Sequence, residues 1–166
     1  MHDARQVANF LLDYADERRI PITNMSLLKH IYFSHGWYLA SFGVPLIVNR
    51  IEAWEHGPVI RCVYDCFKSF GANPITARAT TINWETGEVV EAHADWPADT
   101  AALLRSILDY YSGLGAFELS ELTHECGGPW DRVWNARDGK VRLNMEIPDG
   151  SIREYFLHQS KIASIQ

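Results

Sequence analysis

Three cysteines and a histidine are the best candidates in this sequence for a metal-binding or catalytic site. Cys62 and Cys66 stand four positions apart in a segment of helical periodicity, a spacing that can bring two thiolates to one metal ion. His124 or Cys126 could supply further ligands. Both Cys62 and Cys66 also fall on the apolar arc of their segment, where small thiols commonly serve as core residues. This placement favours a structural role, and no metal site is predicted.

The segment around His124 resembles the beginning of two catalytic motifs and completes neither. His124-Glu125 starts like a zinc-protease helix, but Gly128 stands where the second histidine is required. Cys126 could be a nucleophile with His124 as its base, yet the sequence shows no third group that would orient the histidine. No phosphate-binding glycine loop, dinucleotide fingerprint or nucleophile elbow occurs. The sequence therefore predicts no catalytic residue and no cofactor.

The stretch from Leu27 to Phe70 organises the rest of the chain. Apolar residues at three- and four-residue intervals predict one face of a buried helix, namely Leu28, Ile31, Tyr32, His35, Leu39 and Phe42. Gly36 and Ala40 would let a neighbouring backbone come close, and Gly43 predicts the helix end. Thr23 or Asn24 is the predicted cap at its start. His35 is predicted to be a hydrogen-bonded core residue whose candidate partners are Ser34, Tyr32 and Tyr38.

Two shorter elements follow the central helix. Residues 50–55 predict a short strand or an extended link, and Pro58 is placed as the first residue of a third helix that Gly71 ends. Residues 74–93 predict a small β-hairpin. Because an isolated hairpin is marginally stable, Ile82, Trp84 and Val89 should lie on the helices or against a partner.

The remaining segments predict further helices. Asp3 is the predicted N-cap of the first helix, and later helices should begin at Pro97 or Asp99, at residue 117, at Pro129 and at Asp149 or Ser151, with a turn at Asp138-Gly139. We therefore expect a mainly α fold with a small β-hairpin: a compact helical bundle of about six helices in a single domain spanning residues 1–166.

Charge and composition limit the classes of partner. The formal net charge of the 166 residues is −6, which gives no strong case for binding nucleic acid or a membrane surface, because both reward clustered Lys and Arg. A basic protein partner fits better. No signal peptide or membrane-spanning run is evident, and three cysteines cannot complete a disulfide framework, so we expect a cytoplasmic protein with reduced thiols.

Two glycine-proline pairs, Gly57-Pro58 and Gly128-Pro129, each stand near a tryptophan at a predicted helix start. Such starts expose unpaired N–H groups that can receive a partner, although turn geometry with nearby tryptophan packing is the simpler explanation. The residues that we predict to bind a partner are Trp54, His56, Pro58, Trp84, Pro129 and Trp130.

A family resemblance rests on three parts of the chain. Residues 35–68 read HGWYLASFGVPLIVNRIEAWEHGPVIRCVYDCFK, residues 119–124 read LSELTH, and residues 128–130 read GPW. Together they resemble the signature of the Panacea antitoxin domain, a phage-associated family of SocA-like antitoxins and proteolytic adaptors. The resemblance extends from about residue 7 to about residue 135.

The resemblance implies a protein-binding module that neutralises a cognate toxin by direct binding, or delivers the toxin to a protease as an adaptor. The partners would be a toxin encoded by an adjacent gene and, for an adaptor, a AAA+ protease. The alternative is a small cytoplasmic enzyme with an unrecognised active site. Aromatic residues beyond the needs of a small helical core fit a binding surface better than an enzyme.

The placement of Cys62 and Cys66 yields a first test. We expect protein purified without added metal to contain no bound metal and three free thiols, because both cysteines are assigned to an apolar arc. Elemental analysis and thiol titration measure the two quantities. Stoichiometric zinc would show that the cysteines are ligands instead.

Overall fold

The computed structural model describes residues 1–136 and 145–163 and their side chains up to residue 160. The described α-helices are α1 (Ala4–Arg18), α2 (Asn24–Phe42), α3 (Arg61–Phe67), α4 (Ala98–Tyr111), α5 (Ala116–Thr123), α6 (Pro129–Trp134) and α7 (Asp149–Ala163). Two antiparallel hairpins pair β1 (Glu52–Trp54) with β2 (Gly57–Val59), and β3 (Thr80–Ile82) with β4 (Val89–Glu91). The mainly α fold with a small β component is confirmed, with seven described α-helices where about six were expected. The turn predicted at Asp138-Gly139 lies outside the described residues.

Helix α2 lies at the centre of the molecule and contacts five other helices: α1, α3, α4, α5 and α7. Thr23 is its N-cap, with the hydroxyl accepting from the backbone N–H of Ser26, and Gly43 ends it with a left-handed φ of 73°. Most of its residues are buried. Phe42, predicted on the buried face, is instead 41% exposed at the last residue of the helix, and its ring contacts that of Tyr38.

Gly36 is a point of close packing between α2 and α7. The element that approaches is the ring of Phe156 and not a backbone, as the spacing of Gly36 and Ala40 had suggested. A Cβ added at Gly36 would lie 2.1 Å from Cε2 of this ring. Phe156 is 1% exposed and meets the Trp37 ring edge-on, with the centroids 5.1 Å apart. The missing side chain of Gly36 is therefore what lets the Phe156 ring enter the core.

His35 makes a second connection between α2 and α7. Its Nε2 lies 2.9 Å from Oδ1 of Asp149, in the first turn of α7, and the His35 side chain is 1% exposed. The three partners proposed from sequence, Ser34, Tyr32 and Tyr38, were wrong. They were chosen because they lie near His35 in the sequence of the same helix. The actual partner stands 114 positions away.

The β1–β2 hairpin corrects the prediction for Pro58. Pro58 does not begin a helix: it lies in β2 opposite Ala53, and α3 begins at Arg61. The backbone N–H of Ala53 donates to the carbonyl of Met145, on the other side of β1. The Ala53–Pro58 pair therefore needs no hydrogen bond from the proline, which has no N–H to give. Gly57, with φ of 99°, makes the turn.

One asparagine makes three hydrogen bonds between α1 and the base of the β3–β4 hairpin. Nδ2 of Asn9 donates to the carbonyls of Ala79 and Ala92, each at 2.9 Å, and its Oδ1 accepts from the N–H of Ala79 at 2.8 Å. Asn9, Ala79 and Ala92 are all buried. The base of the hairpin is thus held by a fully bonded amide, while its far end extends away from the helices.

The contact between Gly36 and Phe156 yields a second test. We expect Gly36→Ala to lower the free energy of unfolding by about 1 to 3 kcal/mol, because the added methyl group must displace a packed ring. The control is Gly150→Ala in α7, where an added Cβ meets nothing within 4 Å. Urea denaturation of both variants measures the difference. Equal midpoints for the two variants would contradict the proposed packing.

Candidate functional site

Five of the six residues predicted to bind a partner lie together around the β1–β2 hairpin. Trp130 of α6 donates from Nε1 to the carbonyl of Trp54 at 2.8 Å, which fixes α6 against β1. Pro58, Pro129 and Trp130 are buried, whereas Trp54 is half-buried and His56 is exposed. Pro58, Pro129 and Trp130 are therefore interior residues, and Trp54 and His56 are the members of this group that reach the surface.

Trp84, the sixth residue, lies on the other hairpin at the connection between β3 and β4. Its side chain is 91% exposed. Ile82 and Val89 stand directly opposite each other in the register and are 50% and 71% exposed. These three residues do not lie on the helices, so that alternative was wrong. We call this group of three exposed apolar residues on one hairpin the hairpin tip.

Carboxylates surround the hairpin tip. Glu85, Glu88 and Glu91 are exposed, and residues 80–91 contain no lysine or arginine. An apolar patch with an acidic border is complementary to a surface that is both apolar and basic.

Lys29 is a site residue that the sequence reasoning missed. It lies on α2, its side chain is 1% exposed, and Nζ donates to the carbonyl of Pro58 at 3.1 Å. Within the described part of the chain no carboxylate pairs with it, and burial lowers the pKa of Lys29 to about 7. The sequence did contain a signal for a buried lysine, because Lys29 lies within a helix that was predicted to be buried on two sides.

Gly57 leaves the space that the Lys29 ammonium occupies. A Cβ at Gly57 would lie 2.7 Å from Lys29 Nζ and 2.5 Å from Thr123 Oγ1. Gly57 is therefore required twice, for its positive φ and for the close approach of two polar side chains.

The cysteines do not form a metal site with other described residues. Cys66 is exposed and Cys62 half-buried, so the prediction that both lie in a buried arc was wrong for Cys66. Burial raises the pKa of the Cys62 thiol to about 11. Across residues 1–136 and 145–160, no group of three or more His, Cys, Asp or Glu side chains could hold a metal ion.

His124 and Cys126 are not arranged as a base and a nucleophile. The His124 ring stacks on Trp130 with the centroids 3.8 Å apart, and its Nε2 is buried without a hydrogen-bond partner. Burial lowers the pKa of His124. Cys126 is exposed, and no hydrogen bond joins it to His124 in the described structure.

Comparison with known proteins assigns the family. Residues 27–131 match the family model described as Antitoxin SocA-like, Panacea domain. The chain is 35% identical over 163 residues to Antitoxin SocA of Caulobacter vibrioides (strain NA1000 / CB15N), which covers 98% of this chain and 87% of that protein. The chain belongs to the SocA-like Panacea antitoxin family. No solved structure matches it significantly.

The family match confirms the resemblance inferred from the sequence. In this Panacea chain the matched residues run from the first turns of α2 through both hairpins to α6, and they include Lys29, Trp54, His56 and Trp84. Family membership supports an antitoxin role and favours a non-enzymatic one. None of the described helices is long and apolar enough to span a membrane.

The buried lysine yields a third test. Between pH 7 and 10.5 the unfolded chain carries a proton on Lys29 that the folded chain lacks, so this residue makes the folded state more stable as pH rises. The slope approaches about 1.4 kcal/mol per pH unit within that window. Urea unfolding at pH 7.0, 7.75 and 8.5 measures it.

Two lysine variants isolate the effect of Lys29. We expect Lys29→Met to remove this part of the slope and to stabilise the protein at pH 7, because the cost of burying an ammonium disappears. Lys68→Met is the matched control, since Lys68 is exposed. An identical slope in wild type and Lys29→Met would contradict the lowered pKa.

Proposed function

We propose that this Panacea protein is an antitoxin that neutralises a toxin protein by binding it directly, and that the hairpin tip forms part of the contact. The observation that carries the proposal is Trp84, a tryptophan 91% exposed beside two exposed β-branched residues and three glutamates. Exposed apolar residues that stand close together mark interaction sites more often than single ones do, and tryptophan is among the residues most enriched at interface anchors.

The chemistry of the hairpin tip defines the toxin surface that it fits. Trp84, Ile82 and Val89 would enter an apolar depression, while Glu85, Glu88 and Glu91 would face Lys or Arg around it. Long-range attraction to the acidic chain, with its net charge of −6, would speed encounter, and burial of Trp84 would set the lifetime of the complex. Toxins that act on nucleic acids or nucleotides need basic surfaces, so occupying such a surface would block their activity.

The attachment of the hairpin supports this role. Asn9 holds its base by donating two hydrogen bonds and accepting one, and Arg5 donates from Nη1 to the carbonyl of Thr80 at 3.3 Å. A hairpin ordered before binding loses less conformational entropy in the complex than a mobile loop would.

Growth rescue provides the fourth test. The gene adjacent to this one is expressed alone and together with wild type, Trp84→Ala or Phe117→Ala. Phe117 is the matched control, because it is an aromatic residue that is 76% exposed on α5. We expect wild type and Phe117→Ala to restore growth and to co-purify with the toxin. Trp84→Ala should weaken the complex by at least 2 kcal/mol, as loss of an anchor residue does, and lose rescue.

The same strains separate direct masking from delivery to a protease. Masking predicts rescue in a strain that lacks the relevant AAA+ protease and an unchanged toxin half-life. An adaptor would instead shorten that half-life only when the protease is present. If the neighbouring product is harmless alone or forms no complex, the antitoxin proposal fails; if Trp84→Ala rescues as well as wild type, the proposed surface fails.

A further inference from the structure

A cleft of about 350 Å³ lies between α2, the β1–β2 hairpin and α3, away from the hairpin tip. Its volume falls within the range of small-molecule sites in proteins. Trp54 and Tyr64 form two of its walls, with their rings edge to face and the centroids 5.0 Å apart. Leu28 and Val59 add apolar surface. The cleft therefore presents aromatic and aliphatic surface that suits a flat apolar group.

The charges of the cleft oppose those of the whole chain. Its lining residues include two lysines, Lys29 and Lys68, against the single carboxylate of Glu55. The chain as a whole carries a net charge of −6. Cations gathered in a partly enclosed cavity attract anions more strongly than the same cations on an open surface, because the low-dielectric walls concentrate the field.

The two lysines differ in whether a carboxylate balances their positive charge. Lys68 pairs with Asp65 at 2.7 Å and is more than half exposed. Lys29 is 1% exposed, its ammonium donates to the neutral carbonyl of Pro58, and no carboxylate of the described residues pairs with it. A buried ammonium without a carboxylate is costly to keep, and an anion placed in the adjoining cleft would supply the missing opposite charge.

A polar atom on the same wall also lacks a partner. Asn24 lines the cleft, and its Oδ1 is buried without a hydrogen bond, although its Nδ2 reaches the carbonyl of Tyr64 at 3.5 Å. Buried amide oxygens are normally satisfied. A ligand that carries a hydroxyl or N–H group beside its anion would satisfy this atom too.

From these contacts we infer that the cleft binds a small molecule bearing an oxyanion, a carboxylate or a phosphate, on a flat apolar group. The apolar group would lie against the surface formed by Trp54 and Tyr64, and the oxyanion would face the side of the cleft formed by Lys29 and His56. This function is additional to toxin binding and does not depend on it, because the residues involved are not those of the hairpin tip.

Calorimetry with defined probes tests the inference. Phenyl phosphate, 3-phenylpropionate, inorganic phosphate and benzyl alcohol are titrated separately into the full-length protein at pH 6.5 and low salt. We expect an aromatic anion to bind at least about tenfold more tightly than inorganic phosphate or benzyl alcohol, since each of these lacks one of the two required groups. The two aromatic probes distinguish a phosphate site from a carboxylate site. If neither binds at millimolar concentration, the inference is wrong.

Three variants test which charges matter. Lys29→Met should weaken binding of the better probe by about tenfold or more, as loss of a charged hydrogen-bond donor does. Glu55→Gln, a change at an exposed turn residue, should strengthen binding by roughly two- to threefold, because it removes the carboxylate that repels the anion. Trp84→Ala is the control and should bind the probe like wild type.

The direction of each change in probe affinity tests the inference, even if one variant fails to fold. Urea denaturation establishes whether Lys29→Met is folded. If it is not, Glu55→Gln still tests the inference, because an unchanged or lowered affinity in that variant contradicts an anion site. Equal affinity of folded Lys29→Met and wild type also overturns it. Loss of toxin rescue in any variant bears on the proposed antitoxin function and not on this site.

Discussion

The burial of α2 on nearly every side is the constraint on which the rest of the structure depends. Five helices and the strand β2 contact it, so the partners that its buried polar residues find lie inside the protein. His35 reaches Asp149 at the start of α7, and Lys29 reaches the carbonyl of Pro58 in β2. Gly36 admits the Phe156 ring. Each of these contacts joins α2 to an element distant in sequence, so the packing of one helix organises much of the chain.

The two hairpins have different relations to this core. Gly57–Val59 of the first hairpin is wholly buried, and its turn holds the glycine that makes room for Lys29. The second hairpin is held at its base by Asn9 and Arg5, and it presents Trp84 to solvent. Because an acidic, apolar tip and a cation-rich cleft favour opposite ligand charges, the two surfaces can serve separate partners.

Local sequence signals predicted much of the secondary structure. Asp3 and Thr23 cap α1 and α2 as expected, Gly43 ends α2, and Pro129 begins α6, because capping and chain reversal depend on residues within one turn of each other. The same logic failed at Pro58, since proline is equally suited to the first turn of a helix and to a strand position that needs no N–H. Its pairing with Ala53 decided between the two.

The sequence by itself determined the family, the mainly α class and most helix ends. It also placed Trp84 in a β-hairpin and not in a helix. Only the tertiary structure decided which residues meet. The partner of His35, the burial of Trp130 and the exposure of Cys66 depend on packing between elements far apart in the chain. The same holds for the cleft beside Lys29, whose walls come from three separate elements. Periodicity specifies which face of a helix is apolar, but it does not specify what covers that face.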